Sequence, residues 1–500
     1  MNINKAEYLD KVKGCWLGKT VGGTLGAPME WHRKWNDVKF YLQDLQGNPV
    51  PNDDLDLQII SLFALEQQGA DLDANRLSEY FLQFCAPYWA EYGAAKSNLR
   101  SGILPPYSGI LNNPFKNSCG SFIRSELWAC IAPGFPEIAV EYALNDAMID
   151  HGDGEGVYAE VFCAAMQSAA FVVTDISQLI EIGLSYIPET CQCAQAIRMA
   201  QQLYSEKKSL KEARNQIIHS FYSGFHFLVG EEERADGLDK GTVGDEVPSN
   251  IGIVILALLY GQGDFEKSLC YAVNCGEDTD CTAGTIGALF GILLGAKGLP
   301  EKWISPIGEN IVTMCISLGD FPLPKTVNDL TNRVYSVMRQ VNYRKGLGIE
   351  LTDNATEGRD GKEMLGLNKT WRLYERLKGI THSLGLYDVC VVFPNGICAE
   401  RGKPFEIRLE FYNKSNLTAN ICASLEKNES IEFVSGTEAR AYMNHYYRFL
   451  DDEGFRGRAS ISFLVNIKQE APALMCLNCR ISADGRANSF GIPIIIVCEG

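Results

Sequence analysis

Two short stretches of the sequence concentrate carboxylates directly before apolar helical runs. They are the segment PNDDLDLQ at residues 51–58 and the segment GEDTDCT at residues 276–282. Carboxylate oxygens suit Mg²⁺, Mn²⁺ and Ca²⁺, whereas zinc prefers nitrogen and sulfur ligands. If the two stretches converge, they form a site for a hard cation; the alternative is that each one only caps its own helix. The aspartates concerned are Asp53, Asp54 and Asp56 in the first stretch, and Asp278 and Asp280 in the second.

Glycines recur every fourth residue in two of the predicted helices. Residues four apart lie on one face of a helix, and each helical Gly costs roughly 0.5–1 kcal/mol relative to Ala. We therefore predict a close approach between neighbouring helices, which would compensate for this cost. The glycines are Gly14, Gly18, Gly22 and Gly26 in the first helix, and Gly287, Gly291 and Gly295 in the second, which starts at the acidic cluster GEDTDCT.

The chain up to about residue 345 has helical patterning. Apolar residues recur at helical spacing in runs such as KAEYLDKVKGCWLG, DLQIISLFALEQQG and VYAEVFCAAMQSAAFVV. We predict one large all-α domain over residues 1–345. Its long loops, rich in Gly, Pro, Asn and Asp, are of the kind that often carries function.

The remainder of the chain predicts a linker and a small all-β domain. Residues 346–382 are charged and interrupted by glycines, with a predicted linker helix at Lys369–Leu377. From residue 383 to 500 the hydrophobic period changes to two, in short runs such as PFEIRLEFYN and RASISFLVNIK separated by turn signals. This pattern predicts an immunoglobulin-like β-sandwich.

Composition restricts the class of partner. The net charge of −17 argues against a protein that binds nucleic acid through its phosphates. Seventeen scattered cysteines indicate free thiols in a reducing compartment, and the charged N-terminus shows no signal peptide, so we expect a cytoplasmic protein. The longest uncharged apolar run, Cys281–Ala296, has 16 residues, fewer than the roughly 20 of a membrane span. We therefore expect no membrane partner, and the sequence leaves the oligomeric state open.

Four motifs in chain order resemble the ADP-ribosylglycohydrolase family, which includes dinitrogenase-reductase-activating glycohydrolase and the crystallin J1 relatives. The motifs are GKTVGGTLGAPMEW, NDDLDLQ, DHGDGEGVYAEVFCAAM and GEDTDCTAGTIGALFGILLGA, and the resemblance covers roughly residues 8–340. It implies an all-helical fold, an active site with two Mg²⁺, or Mn²⁺ in some members, and hydrolysis of the N- or O-glycosidic bond at the anomeric carbon of ADP-ribose.

The resemblance also implies a set of metal ligands. Both family threonines are replaced, by Asn52 and Cys281; the amide can still offer a carbonyl oxygen, but a thiol is a poor partner for Mg²⁺. Asp56, Thr279 and Thr282 are candidates to replace a lost ligand, so the sequence predicts one or two ions. The implied ligands are Asn52, Asp53 and Asp54 from the first stretch and Asp278, Asp280 and Cys281 from the second, with Asp56 as the additional carboxylate.

Catalytic and substrate-binding residues follow from the same resemblance. Glu30 matches a glutamate that acts near the scissile bond, and with Asp54 it is predicted to be catalytic, since glycoside cleavage requires carboxyl groups that move protons. The alternative for Glu30 is a solvated charge at a helix end. The predicted substrate-binding residues are Arg124, Asp150, His151 and Gly152; Arg124 can instead form an internal ion pair with Glu126 or Asp146.

Three functions remain open from the sequence. The first is a metal-dependent hydrolase of ADP-ribosyl or related ribosyl compounds, small or attached to protein. The second keeps the hydrolytic chemistry but changes the sugar substrate, because the segment DHGDGEG at residues 150–156 is too acidic to favour a diphosphate. The third is a non-catalytic binding relative, since a fold can persist without its chemistry.

Overall fold

Helices dominate the chain up to Lys345, and strands dominate it from Thr381 onward. The computed structural model describes residues 1–221, 245–317, 319, 321–366, 381–396, 398–445, 457–472 and 474–499. The predicted linker helix at Lys369–Leu377 lies outside these residues. The predicted fold class, a large helical domain followed by β strands in sheets, is confirmed.

The helical part contains sixteen α-helices within the described residues. They are α1 (Lys5–Gly26), α2 (Asp53–Gln68), α3 (Ala74–Phe84), α4 (Ala90–Arg100), α5 (Tyr107–Ile110), α6 (Glu126–Ile131), α7 (Pro136–Ala147), α8 (Glu155–Ala169), α9 (Ile176–Leu184), α10 (Gln192–Ser205), α11 (Leu210–Ser220), α12 (Val247–Gly261), α13 (Phe265–Cys275), α14 (Thr279–Leu294), α15 (Glu301–Ile304) and α16 (Val327–Lys345). Every one of them is too short or too polar to cross a lipid bilayer, as far as the described residues extend.

The strands form one short parallel pair and two five-stranded sheets. Their bounds are β1 (Asn2–Asn4), β2 (Glu350–Thr352), β3 (Thr381–Ser383), β4 (Tyr387–Val392), β5 (Cys398–Glu400), β6 (Pro404–Asn413), β7 (Ala419–Leu425), β8 (Ile431–Phe433), β9 (Glu438–Met443), β10 (Arg458–Ile467), β11 (Leu474–Ala483) and β12 (Ser489–Glu499). The strand orders are β3-β4-β6-β10-β8 and β5-β12-β11-β7-β9. Burial alternates along β6, as expected for a strand with one face in a core.

The chain divides into two compact units. The first comprises Met1–Lys96 and Asn112–Asn368, and the second comprises Ser97–Leu111 and Lys369–Gly500. Within the second unit, the hydroxyl of Tyr107 donates a hydrogen bond of 3.0 Å to Glu426. The sequence-based bounds 1–345, 346–382 and 383–500 remain a proposal.

The two glycine-striped helices, α1 and α14, pack backbone against backbone. A Cβ placed on Gly18 would lie closer than 3.0 Å to the carbonyl oxygen of Gly287, and one on Gly287 would lie equally close to that of Gly18. Gly14 and Gly291 form a second such pair, so the helices run antiparallel in register. The predicted close approach is confirmed.

This packing brings the end of α1 to the start of α14. Gly26, the last residue of α1, lies against Thr279, whose hydroxyl donates a 2.8 Å hydrogen bond to the Gly26 carbonyl. Glu30 follows α1 after one short 3₁₀ turn, Ala27–Met29. The backbone contact therefore fixes where Glu30 lies relative to the acidic start of α14.

Candidate metal centre and catalytic cavity

An acidic cavity of about 590 Å³ opens where α1 ends and α2 and α14 begin. Six carboxylates of the described residues contribute to its wall, and the exposed Trp31 and Trp89 line it as well. The two predicted acidic stretches thus meet at one cavity. We call it the acidic cavity; its carboxylates are Glu30, Asp53, Glu91, Asp245, Asp278 and Asp280.

The carboxylates of Glu30, Asp278 and Asp280 form the first candidate cation site. Their ligand atoms lie within 4.8 Å of one another. Asp278 is buried, and its Oδ1 has no hydrogen-bond partner. A buried carboxylate oxygen without a partner is costly, and a cation between the three groups would satisfy it. The donor set, all oxygen, fits Mg²⁺ or Mn²⁺.

A second group, Asp54, Asp280 and Cys281, also has ligand atoms within 4.8 Å of one another, but a protein cation already lies beside it. The Lys19 ammonium, 2% exposed, is 2.8 Å from Asp54 Oδ2 and 3.3 Å from Glu126 Oε1. The Cys281 thiol donates a hydrogen bond of 3.7 Å to Asp54 Oδ1. The positive charge that a second metal would bring to Asp54 is therefore supplied by Lys19.

The side-chain oxygen of Asn52 was expected to be a metal ligand, but in the structure it makes a different contact. That oxygen caps α2 by accepting the backbone N–H of Asp54 at 2.7 Å. The side-chain amide instead donates to Asp280 Oδ2 at 3.2 Å. Asn52 thus supplies a hydrogen bond to a candidate ligand, and its own ligand role stays a prediction.

Asp53 and Asp56 have different surroundings although they lie on the same helical turn. Asp53 lines the acidic cavity and accepts a 2.9 Å hydrogen bond from the Tyr92 hydroxyl. Asp56 is fully buried, and its Oδ2 accepts the backbone N–H groups of Met314 and Cys315 at 2.7 and 2.6 Å. Asp56 therefore anchors a loop, and its predicted ligand role forms no part of our proposal.

Mutual repulsion in the acidic cavity favours bound protons in the metal-free protein. Removal of the Glu30 carboxyl from water, together with the charges of Asp280 and Asp53, raises its pKa from 4.5 to about 8. Burial likewise raises the pKa of Asp53 to about 6 and that of Glu91 to about 7. The pKa of Asp278 is also raised by burial and by Asp280. Bound protons or a cation therefore remove part of the negative charge of this wall.

The four predicted substrate-binding residues lie behind the wall of the acidic cavity. Arg124 donates to Asp150 at 2.9 Å and lies 3.1 Å from Asp146, with both acids buried. Although burial opposes ionisation, Arg124 and His151 hold the pKa of Asp150 down to about 2. His151 meets the cavity wall at Ser118, whose hydroxyl lies 3.4 Å from its Nε2. Gly152 continues this segment with a φ of +69°.

We expect Arg124→Gln to lower the free energy of unfolding by about 3–5 kcal/mol, because it leaves the buried carboxylates of Asp146 and Asp150 without their guanidinium partner. Urea denaturation measures this loss. The matched control is Arg198→Gln, which removes an exposed pair with Glu181 and should cost less than about 1 kcal/mol. Unchanged stability with a raised KM for substrate would instead establish the substrate-binding role predicted for Arg124.

Among the residues of the site that sequence reasoning missed are Lys19, Glu91 and Tyr92. A lysine inside an otherwise apolar, glycine-rich helix is a signal for a buried ion pair, since Lys is rarely buried unpaired. Glu91 and Tyr92 lie in α4, which carries no acidic cluster and follows a loop. Only the tertiary fold brings them beside Asp53 and Ser118.

Comparison with known proteins gives three findings. Residues 4–342 match the model of the family described as ADP-ribosylglycohydrolase. An uncharacterized protein of Archaeoglobus fulgidus is 24% identical over 325 residues, which cover 60% of this chain and 92% of that protein. A solved chain from an "ADP-ribosylglycohydrolase-related protein complex" is 17% identical, covers 67% of this chain and 99% of its own length, and superposes with a TM-score of 0.44.

Proposed function

The chain belongs to the ADP-ribosylglycohydrolase family, and on that premise we propose that it is a divalent-metal-dependent hydrolase of the N- or O-glycosidic bond of a ribosyl compound. The observation that carries the proposal is the group formed by Glu30, Asp278 and Asp280 in the acidic cavity, with the unsatisfied oxygen of Asp278. A chain that only binds a ligand has no need for such a costly set of carboxylates. The substrate is a small-molecule or protein-attached glycoside.

Mg²⁺ or Mn²⁺ is the proposed cofactor, and one ion suffices. Glu30, Asp278 and Asp280 would hold it, while Lys19 neutralises Asp54 on the neighbouring side. When bound, the ion supplies a Lewis acid that orients sugar hydroxyls and water. This arrangement supports a single occupied position rather than two.

The carboxyl groups of the chain perform the proton transfers. Glu30 lines the acidic cavity, and the carboxylate oxygen that does not hold the ion can reach a glycosidic bond there and move a proton to or from the reacting oxygen. Asp54 lies behind it in an ion pair with Lys19 and is better supported as a positioning residue than as a proton donor. The free thiols of the chain support a reducing compartment such as the cytoplasm.

The direct test is hydrolysis with and without metal. EDTA-treated protein is incubated with an ADP-ribosylated arginine peptide and with ribosides, and product release is measured after adding Mg²⁺ or Mn²⁺. We expect turnover of at least one riboside class that requires the ion and is lost in Glu30→Gln. Metal-independent turnover, or no turnover of any riboside, would contradict the proposal.

A pH dependence of stability follows from the raised carboxyl pKa values. Because the folded state holds these protons more tightly than the unfolded state, the contribution of the cavity carboxyls to metal-free stability is complete below about pH 4.5 and is lost as the pH rises towards the pKa of Glu30, about 8. We expect the Tm of the metal-free protein to decrease across this interval, and the gain in Tm from Mn²⁺ to increase, since protons compete with the ion.

Differential scanning fluorimetry at a series of pH values measures both trends. Glu30→Gln is the control, because it removes the cavity carboxyl whose pKa is raised to about 8. The pH slope of the metal-free variant should be shallower than that of the parent. A gain from Mn²⁺ that is equal at pH 6 and pH 8 would contradict this account.

A further inference from the structure

Two tryptophans line the acidic cavity although neither is buried. Trp31 is 56% exposed and Trp89 is 50% exposed. A large aromatic side chain gains most of its stabilisation from burial, so exposure of both at one cavity calls for another explanation. The acidic stretches and the tryptophans come from different segments of the chain and meet only at this site.

The backbone around each tryptophan is held in the left-handed region. Trp31 has a φ of +63°, and its N–H donates a 2.8 Å hydrogen bond to the carbonyl of Glu277. Ala90, directly after Trp89, has a φ of +43°. Such conformations in residues other than Gly are unfavourable and concentrate at ligand-binding sites. Two strained segments thus place two exposed tryptophans at the same cavity.

The charge of the cavity opposes a phosphate. Within the described part of the wall there is no Lys, Arg or His, whereas six carboxylates are present. The nearby buried cations already have partners: Lys19 pairs with Asp54 and Glu126, and Arg124 pairs with Asp150 and Asp146. A diphosphate would meet like charges here, whereas a positively charged ligand would be attracted.

We propose that the acidic cavity selects a phosphate-free N-riboside whose leaving group is a flat, positively charged heteroaromatic ring that stacks on Trp31 and Trp89. This rests on the proposed function and names its substrate class. Indole faces attract cations as well as flat rings, so the tryptophans and the carboxylates favour the same ligand. The buried, unsatisfied Asp278 Oδ1 marks the side of the cavity where the sugar end would lie with the ion.

The reaction balances without any further reagent. The bond between the anomeric carbon and the ring nitrogen breaks, and its electron pair stays on the nitrogen, which becomes neutral. Water forms the new bond to the anomeric carbon and loses one proton to a wall carboxylate. The products are ribose, a neutral heteroaromatic base and one proton, so the positive charge that attracted the substrate is lost and release of the base follows.

The experiment compares ligands that differ in the charge of the ring and in the presence of phosphate. Nicotinamide riboside, nicotinamide mononucleotide, adenosine and ADP-ribose are tested for binding to the Mn²⁺-loaded protein by calorimetry and for hydrolysis by chromatography. We expect nicotinamide riboside to bind at least tenfold more tightly than its 5′-phosphate and than neutral adenosine, and ADP-ribose to bind most weakly. Equal or tighter binding of either phosphorylated compound would overturn the proposal.

Variants test the aromatic contact separately. Trp31→Ala and Trp89→Ala should each raise the KM and Kd for nicotinamide riboside about tenfold with a smaller change in kcat, and Trp31→Phe should restore most of the loss. Tyr343→Ala, which removes an aromatic ring that is 90% exposed and outside the cavity, is the matched control and should change neither. Unchanged Kd values in both tryptophan variants would overturn the proposal.

The outcomes also distinguish this inference from the proposed function. Tryptophan-dependent binding of nicotinamide riboside without turnover supports the ligand class and refutes the hydrolase. Metal-dependent turnover of an ADP-ribosyl peptide that is indifferent to both tryptophan variants supports the hydrolase and refutes the ligand class. Absence of binding and of turnover with every compound refutes both.

Discussion

Asp278→Asn should abolish the thermal stabilisation by Mn²⁺ and lower kcat/KM about a hundredfold or more. The amide removes the negative charge from the one buried oxygen of the candidate cation site that has no partner, Oδ1 of Asp278. Loss of metal-dependent charge stabilisation is worth several kcal/mol, and each 1.36 kcal/mol corresponds to about a tenfold change in rate. Differential scanning fluorimetry with and without Mn²⁺ and initial-rate kinetics measure the two effects.

The control for this variant is Asp245→Asn, which removes a charge from the same wall but lies outside both candidate cation groups. It should leave most of the metal-dependent gain in Tm intact. Metal-free Asp278→Asn should be no less stable than the parent, because the substitution relieves repulsion with Asp280 and Glu30. An undiminished Mn²⁺ effect in Asp278→Asn would remove this residue from the site.

Gly18→Ala should destabilise the helical unit by about 3 kcal/mol or more, because overpacking by a group with no room forces the backbones apart. The added methyl group would collide with the carbonyl of Gly287 in α14, which is backbone and cannot rotate away. Urea denaturation followed by circular dichroism measures the loss. We expect activity to decrease as well, since the same helix pair positions Glu30 against Asp280.

Gly23→Ala is the matched control on the same helix. A Cβ there would approach only the Asn52 side chain, at 2.8 Å from its amide nitrogen, and that side chain can shift. The higher helix propensity of Ala, about 0.5–1 kcal/mol, should offset much of the local strain. Equal losses in the two variants would show that general crowding of α1, rather than contact with α14, explains the effect.

The sequence predicted those features that depend on local pattern. Gly14 and Gly18 repeat at helical spacing, and a repeat of this kind has few explanations other than close helix packing. The runs that became α2 and β6 carry the hydrophobic periods of a helix and of a strand. Asp278 and Asp280 directly precede a long apolar run, and this order along the chain predicted their position at the start of a helix.

Features that depend on distant partners were not predictable. Nothing near Asp56 in sequence shows that its carboxylate accepts N–H groups from Met314 and Cys315, more than 250 positions further along. Asp146 was named from the sequence as a partner of Arg124, and the two lie 3.1 Å apart, but the second partner, Asp150, was not identified, because ion pairs depend on the fold rather than on spacing. Trp31 and Trp89 lie in loops, where an aromatic residue belongs to no periodic pattern.

The buried cysteines of this chain make it possible to measure local unfolding. None of the seventeen cysteines forms a disulfide, and buried ones occur in both units, for example Cys15, Cys163 and Cys275 in the first and Cys479 and Cys498 in the second. A buried thiol reacts with an alkylating reagent only when its surroundings open. Timed alkylation followed by peptide mass spectrometry would therefore reveal, cysteine by cysteine, whether helical and strand regions unfold together or one after the other.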